Sequence, residues 1–239
     1  MAIPLLLFSG GLDSTVMLQK QLDVGACDVL YGSSNQHPTK IILEREARTK
    51  IIDHFNATRM HKVHGEWDNA NPINITHEGT KWAQPIAWMT AALAALDPNR
   101  HSELQIGYVA NDGSFCRHLP DMEEIWLRMQ KIAKWGTPVP LKFPIIDYSK
   151  VDLLNELDLR LLDSLWICEQ PTDEHVYCGK CKPCTLMKES LARFKTNMGI
   201  TVFTKRLQDA RELKARLASE PEYGNAYKAV NLVRTHCKY

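Results

Sequence analysis

Apolar and polar positions along this chain fall into blocks that switch between the strand period and the helix period. Pro4-Leu5-Leu6-Leu7-Phe8 is an unbroken apolar run of buried-strand length, ending in the turn signal Ser9-Gly10-Gly11. Ser14-Thr15-Val16-Met17-Leu18-Gln19-Lys20 reads as a helix opening. Cys27-Asp28-Val29-Leu30-Tyr31 predicts a second strand closed by Gly32-Ser33-Ser34, and a long helix follows Pro38 with Ala47, Ile51, Ile52 and Phe55 on one face. A third, weaker strand is expected over 59–64, and loop over 68–81, where Asn, Gly, Pro and Thr are frequent. A helix starting near Pro85 carries Ile86, Met89, Leu93 and Leu96 at helical spacing and stops at Asp97-Pro98-Asn99. Residues 103–109 predict a strand that ends in the turn Asn111-Asp112-Gly113.

The cleanest helical period comes next: Met122, Ile125, Trp126, Met129, Ile132 and Ala133, with Asp121 as cap and Glu124 at the capping-box spacing. Met and Trp at this spacing read as core, not as a cofactor box. Residues 139–146 give one more strand, and Ser149 with Asp152 caps a helix after it. Strands alternating with helices predict an α/β fold with a parallel, doubly wound sheet covered on both faces. Ligands in such sheets sit at the carboxyl ends of the strands, where the Gly10-Gly11 turn lies. Composition changes near Trp166, where cysteines and prolines gather, so the expected division is an α/β domain over 1–165 and a smaller helical region over 166–239. Residues 220–239 have no clear period and stay unassigned.

At 239 residues, with 44% hydrophobic and 24% charged side chains, the chain can bury a sizeable core. A net charge of +1 gives no support to an extended nucleic-acid surface. No apolar run approaches the ~20 residues of a membrane span, and Leu5-Leu6-Leu7 lacks the preceding basic region of a secretory signal. The expected compartment is the cytoplasm. Thiols stay reduced there, so clustering among the seven cysteines points to a metal.

Chemistry concentrates first in Ser9-Gly10-Gly11-Leu12-Asp13-Ser14. Adjacent glycines let backbone N–H groups turn inward with no side chain in the way. Together with the dipole of the helix start they make a seat for phosphate. The hydroxyls of Ser9, Ser14 and Thr15 add donors, and Asp13 can take Mg2+ or a donor near the phosphates. Neither Gly-x4-Gly-Lys-Ser/Thr nor Gly-x-Gly-x-x-Gly occurs. The alternative is a plain strand-to-helix turn of small residues. The pattern is similar to the pyrophosphate-binding loop of the ATP pyrophosphatase superfamily, whose members split ATP between its α and β phosphates and pass AMP to a substrate oxygen.

The second concentration is Cys178-Gly179-Lys180-Cys181-Lys182-Pro183-Cys184, with Cys168 ten residues upstream of its first member. Four thiolates complete a tetrahedral set for Zn2+ with no position left for water, which makes the expected site structural. An iron–sulfur cluster and an empty cysteine set are the alternatives; the ferredoxin run has a fourth cysteine three residues on, which is missing here. Cys27 is expected to pack in its strand, Cys237 sits in the tail, and Cys116 also stands apart.

A Ser-Gly-Gly-x-Asp-Ser loop near the start and a Cys-x9-Cys-x2-Cys-x2-Cys set near the end, in one chain of this size, resemble the 7-cyano-7-deazaguanine synthase family. Pro144-Ile145-Ile146-Asp147-Tyr148-Ser149-Lys150 and Leu165-Trp166-Ile167-Cys168 extend the likeness. The resemblance implies nucleotide binding by Phe8, Ser9, Gly10, Gly11, Leu12, Asp13, Ser14, Thr15, Val16, Met17 and Leu18. It implies zinc ligation by Cys168, Cys178, Cys181 and Cys184. The middle departs: Tyr31-Gly32-Ser33-Ser34-Asn35-Gln36-His37 holds an insertion, and Glu78-Gly79-Thr80-Lys81 and Gly113-Ser114-Phe115-Cys116-Arg117 keep only fragments of the family's pattern. These segments are the ones expected to shape the substrate pocket.

The implied reaction converts 7-carboxy-7-deazaguanine and ammonia to 7-cyano-7-deazaguanine at the cost of ATP, with Mg2+ at the phosphates and Zn2+ in the cysteine set. Asp13, Ser14, Lys150 and Arg117 are the candidate catalytic residues, the last two as cations for phosphate or carboxylate. For Lys150 a solvated first-turn lysine is the competing reading. His37, His64 and His118 are read as histidines without a role. Relatives of this type imply a homodimer. Two alternatives stand beside this reading. One is a relative that stops at the amide or attaches a deazaguanine to a protein or RNA acceptor. The other is a non-catalytic nucleotide-binding scaffold, which would have no chemical need for Asp13.

Overall fold

The computed structural model describes residues 2–32, 38–68, 83–109, 118–172 and 176–198, with 208–209, 211–212 and 215. Five strands form one wholly parallel sheet: β1 (Ile3–Leu7), β2 (Cys27–Tyr31), β3 (Val63–Asp68), β4 (His101–Ile106) and β5 (Leu141–Lys142), in the order β3-β2-β1-β4-β5. Between and after them run α1 (Leu12–Val24), α2 (Pro38–Thr58), α3 (Ala83–Ala95), α4 (Leu119–Ile132), α5 (Lys150–Glu156), a 3-10 helix (Leu159–Ser164) and α6 (Lys182–Met198). This is the expected doubly wound α/β fold. No helix among the described residues is long and apolar enough to cross a membrane.

The period of two along the strands builds two cores. Leu6, Cys27 and Val29 point to one face, where Val16 and Met17 of α1, Ile51 and Phe55 of α2, Leu153 of α5 and Phe194 of α6 cover them. Leu5, Leu7, Leu30, Leu104 and Ile106 point to the other, under Met89 and Ala92 of α3 and Met122 and Trp126 of α4. Cys27 is buried in its strand as expected.

Several element ends differ from expectation, each for a local reason. β3 starts at Val63, later than expected, because 59–62 is held as a turn by Asn56, whose Oδ1 accepts the Val63 N–H at 2.9 Å and whose carbonyl accepts Lys62 Nζ at 2.7 Å. β4 covers His101–Ile106, starting two residues and ending three residues before the expected 103–109. β5 keeps only Leu141–Lys142 of the expected 139–146. The Val139 N–H donates to Gln130 Oε1 at 2.6 Å, while its carbonyl accepts from Trp126 Nε1 at 2.7 Å, so α4 side chains take the bonds a neighbouring strand would make. Pro140 and Pro144 flank what remains, and 144–147 turns.

Asp121 does not cap α4. Pro120 presets the first turn, His118 holds the cap position, and Asp121 pairs with His118 Nδ1 at 2.9 Å. Glu124 accepts from Arg128 instead of closing a capping box. Ile132 is 81% exposed and Ile125 also faces outward, which leaves Met122 and Trp126 as the core of that face. On α3, likewise, Ile86 is exposed while Met89 is buried, and Leu96, just past its end, is buried too. The Ser149–Asp152 capping box is present on α5 as expected.

At the amino end of the sheet a fully buried carboxylate ties β2 to β4. Asp28 accepts from Arg100 Nε at 2.5 Å and Nη2 at 2.9 Å, and from His101 Nε2 at 2.9 Å. His101 Nδ1 accepts the Asp97 N–H at 2.9 Å, so the imidazole proton sits on Nε2 and points at Asp28. Burial pushes the Asp28 carboxyl up, but the Arg100 and His101 hydrogen bonds outweigh it and hold the group below the usual carboxylate range. Asp28→Ala should therefore destabilise the fold by about 3 kcal/mol at neutral pH, since it strands a buried partner. A carboxyl depressed in the folded state contributes fully above its unfolded value of about 3.9 and loses that contribution as pH falls through the folded value. Urea denaturation from pH 7 to pH 3 should show the wild-type advantage steady above about pH 5 and shrinking below it; an advantage that grows on acidification contradicts the assignment.

Candidate functional site

The chain lays β2 and β3 to one side of β1, then returns to place β4 and β5 on the other. The order reverses at β1, and a crevice opens beyond the carboxyl ends of β1 and β4, where parallel sheets seat ligands. Ser9–Ser14 fills the β1 side. Gly10 has φ +82, and a Cβ there would sit 3.1 Å from the Arg48 backbone nitrogen and 3.3 Å from the Ala47 Cβ, so both conformation and space demand glycine. Gly11 is the N-cap of α1 and has no side-chain cap hydrogen bond. Ser14 Oγ donates to the Gly11 carbonyl at 3.2 Å and accepts the Ser9 N–H at 3.3 Å, which draws the turn closed. Across the crevice Gly107 follows β4, where a Cβ would lie 3.4 Å from the Ser14 nitrogen.

Lys150 reaches the same turn from 137 residues away: its Nζ donates to Asp13 Oδ2 at 2.5 Å. The Ser149–Asp152 capping box sets the first turn of α5 and thereby aims Lys150. Asp13, Ser14 and Lys150 all line a cavity of about 330 Å³, with Phe8, Ser9, Gly11 and Leu12. Thr15 is buried at the start of α1, and Val16, Met17 and Leu18 turn into the core. Arg117 and His37 lie outside the described residues, as do Cys116 and Cys237 and the departing segments 33–37, 78–81 and 113–117. His64 and His118 are exposed and away from the cavity.

The cavity has two wings that sequence reading did not single out. On the β2 side Trp88 lies on Gly32 so closely that a Cβ on Gly32 would stand 2.4 Å from Trp88 Cε3. Below it Glu44 accepts from the Tyr31 hydroxyl at 2.5 Å and lies 3.5 Å from Lys40 Nζ. Burial pushes the Glu44 carboxyl up against the opposing pull of Lys40 and Tyr31. Arg48 stacks over the Tyr31 ring at 4.1 Å and reaches Asp68 at 3.5 Å. Tyr108, Trp166, Glu169 and Lys182 also line the cavity, and the Glu169 carboxylate adds to the upward push on Glu44. A signal for the first wing was within reach, because residues just past β2 and at the start of the next helix belong to the carboxyl edge of any parallel sheet.

Trp166 and Lys182 border the cysteine set. The sulfurs of Cys168, Cys178, Cys181 and Cys184 all lie within 4.8 Å of one another, and those of Cys181 and Cys168 are 4.0 Å apart. A tetrahedron with metal–sulfur bonds of about 2.3 Å has edges of about 3.8 Å, so the set could close on a metal ion with small adjustments. Gly179 at φ +70 makes the turn that points the Lys180 and Cys181 N–H groups at Cys178 Sγ, 3.5 and 3.3 Å away. Those two N–H groups lower the Cys178 thiol to about 6, while burial raises Cys184 and Cys168. Four sulfur donors of this kind suit zinc or iron.

The fold and site define an α/β protein with a serine–glycine turn at its switch point and a four-cysteine set beside the cavity. No family model matches the chain. It is 24% identical over 210 residues to 7-cyano-7-deazaguanine synthase 1 of Sphingopyxis alaskensis, covering 79% of this chain and 92% of that protein. It is 27% identical over 216 residues to 7-cyano-7-deazaguanine synthase of Azoarcus sp. strain BH72, covering 78% and 90%. The chain is a distant relative of the 7-cyano-7-deazaguanine synthases, as the resemblance at its two ends implied.

The contact of Trp88 with Gly32 has a direct test. Gly32→Ala should cost about 1–3 kcal/mol by forcing the indole away, whereas in a Trp88→Ala background the same change should cost almost nothing. Denaturant titrations of the two single variants and the double variant measure this; additive costs contradict the contact.

Proposed function

We propose that this chain is an ATP-dependent carbon–nitrogen ligase that turns 7-carboxy-7-deazaguanine and ammonia into 7-cyano-7-deazaguanine. The observation that carries the reading is the Asp13–Lys150 pair, an anion and a cation 2.5 Å apart on the glycine turn at the end of the central strand. The named relatives support the same reaction class.

A carboxylate is a poor electrophile, because attack by ammonia must expel an oxide. In the proposed sequence its oxygen attacks the α phosphorus of ATP and pyrophosphate departs. Ammonia then adds to the acyl carbon; AMP leaves and a proton is lost, giving the amide. The amide oxygen attacks a second ATP, releasing pyrophosphate and a proton, and loss of AMP and a second proton from the resulting imidate leaves the nitrile.

The backbone of Gly10 and Gly11, with the hydroxyls of Ser9 and Ser14, supplies fixed donors for the departing pyrophosphate. Lys150 stands where its ammonium can exchange Asp13 for charge gathering on phosphate. Asp13 is a hard oxygen donor on the cavity wall and fits Mg2+, which when bound neutralises phosphate charge. The four cysteines fit Zn2+ with no ligand position to spare, a structural role. The departures in segments 33–37, 78–81 and 113–117 favour one further reading, in which the reaction stops at the amide or the deazaguanine passes to a protein or RNA acceptor.

Incubation with ATP, Mg2+, ammonium and 7-carboxy-7-deazaguanine, followed by mass spectrometry, should give the amide, then the nitrile, with AMP and not ADP. Asp13→Ala should lower turnover at least about a hundredfold with little change in thermal midpoint. Absence of both heterocyclic products, where a relative under the same conditions forms them, rejects the substrate; AMP with another acceptor would keep only the ATP chemistry.

Elemental analysis should find one zinc per chain. Cys181→Ser should lower solubility and thermal stability more than it alters the chemistry. No zinc, or iron with acid-labile sulfide, rejects this part of the proposal.

A further inference from the structure

One short segment joins the phosphate-type turn to the cysteine set. After the 3-10 helix, residues 165–168 run extended between the two sites. The Trp166 backbone N–H donates to the Gly10 carbonyl at 3.0 Å, and a Cβ on Gly11 would lie 3.5 Å from the Trp166 carbonyl, so this backbone lies along the turn itself. The Trp166 side chain faces the other way. Its Nε1–H donates to the Cys168 carbonyl at 3.0 Å, and its ring stacks on Tyr177 with centroids 4.7 Å apart and planes at 18°. Tyr177 precedes Cys178, and its hydroxyl donates to the Leu165 carbonyl at 2.7 Å, returning to the residue before Trp166. The Cys178 N–H in turn donates to Cys168 Sγ at 3.3 Å.

Trp166 thus holds the turn with its backbone and two cysteine-bearing segments with its indole. Between Cys168 and Cys178 the ties among the described residues include the N–H···S hydrogen bond, a Thr172 N–H to Val176 carbonyl bond at 3.1 Å, the stack and the tyrosine hydroxyl, each weak singly. A metal on the four sulfurs adds covalent closure to the same loop and fixes Tyr177 against the indole. The Gly10 carbonyl, in turn, is held by the Trp166 N–H at 3.0 Å, with α2 packed close on Gly10 itself.

We infer that Trp166 is a positioning residue through which occupancy of the four-cysteine site holds the Ser9–Ser14 turn in its ligand-ready shape. This rests on the reading of that turn as a phosphate seat, and it assigns the cysteine set an effect on nucleotide affinity beyond keeping its own segment folded. The coupling runs through one side chain, set between the turn and the cysteine-bearing segments. Removing that side chain should uncouple the sites while leaving metal bound.

Hydrogen exchange of the full-length protein tests this without relying on activity. In the wild type, removal of the metal with a chelator should speed exchange of amides 10–14 about tenfold, while 119–132 in α4 stays unchanged. Trp166→Ala, with metal retained by elemental analysis, should already exchange at the faster rate and respond no further to chelator. Trp166→Phe keeps a ring on Tyr177 but loses the Nε1 bond, and should fall between. Calorimetry with Mg-ATP should show the dissociation constant rising at least about fivefold on chelation in the wild type and not in Trp166→Ala.

Exchange at 10–14 indifferent to chelation overturns the coupling, as does a Trp166→Ala protein that responds like the wild type. Equal acceleration in 119–132 overturns it too, since that reports general loosening, and so does a purified protein with no chelatable metal. A metal-loaded protein that binds no Mg-ATP rejects the phosphate-seat reading, while the exchange result still decides the coupling.

Discussion

At Gly10 the chain leaves the central strand in a left-handed conformation, with α2 packed so near that a Cβ would press on the Arg48 nitrogen. That one close approach brings the start of α1, the body of α2 and the strap around Trp166 to a common point. The Gly10 carbonyl faces Trp166, the Gly11 carbonyl accepts the Thr15 N–H that opens α1, and Arg48 continues to Tyr31 and Glu44 at the end of β2. Any side chain at this position would separate α2 from the turn and displace the wing of the cavity that α2 supplies. The sheet order makes the position unavoidable, since the reversal at β1 leaves its carboxyl end flanked by loops from both directions.

Polar chemistry is divided between the two ends of the sheet. The amino end is closed by Asp28 with Arg100 and His101, every charge opposed by a partner. A second closed group, Asp158 with His54 and Arg160, locks the 3-10 helix to α2; burial pushes that carboxyl up, yet its two partners hold it well below the usual range. Both groups are sealed by their own hydrogen bonds. The carboxyl end differs: there Lys150, Asp13, Lys40 and Glu44 border open space, so their charges are available to a ligand. The same residue types are enclosed at one edge and open to the cavity at the other.

The sequence is legible where one segment decides its own structure. The β1–turn–α1 unit, the face of α2 with Ile51 and Phe55, the Ser149–Asp152 cap and the cysteine spacing are all of this kind. Structure departs from the local pattern where a distant group intervenes. β5 is short because Gln130 and Trp126 take the bonds of Val139, and no pattern within 139–146 records that. Ile125 and Ile132 share the helical period of Trp126 yet face outward, because α4 covers only the edge of the sheet. The site shows the same split. Asp13 and Lys150 were legible one by one, but their contact exists only through the fold, and Trp88 on Gly32 carries no local mark beyond a glycine after a strand.

The separation of Asp13 and Lys150 along the chain also governs when the cavity can exist during synthesis. β1, β2 and β3 with α1 and α2 emerge first and can pair on their own, since each neighbours the next in the sheet. At that stage β1 has one edge exposed and its turn faces water on the side that Gly107 later occupies. β4 must return across the nascent half-sheet to close that edge, and α5 must follow before Lys150 arrives. Long-range parallel pairing of this sort is slow. A ribosome stalled before α5 would therefore display a nearly complete sheet with an acidic, one-sided turn, and ligand capture becomes the last property the growing polypeptide acquires.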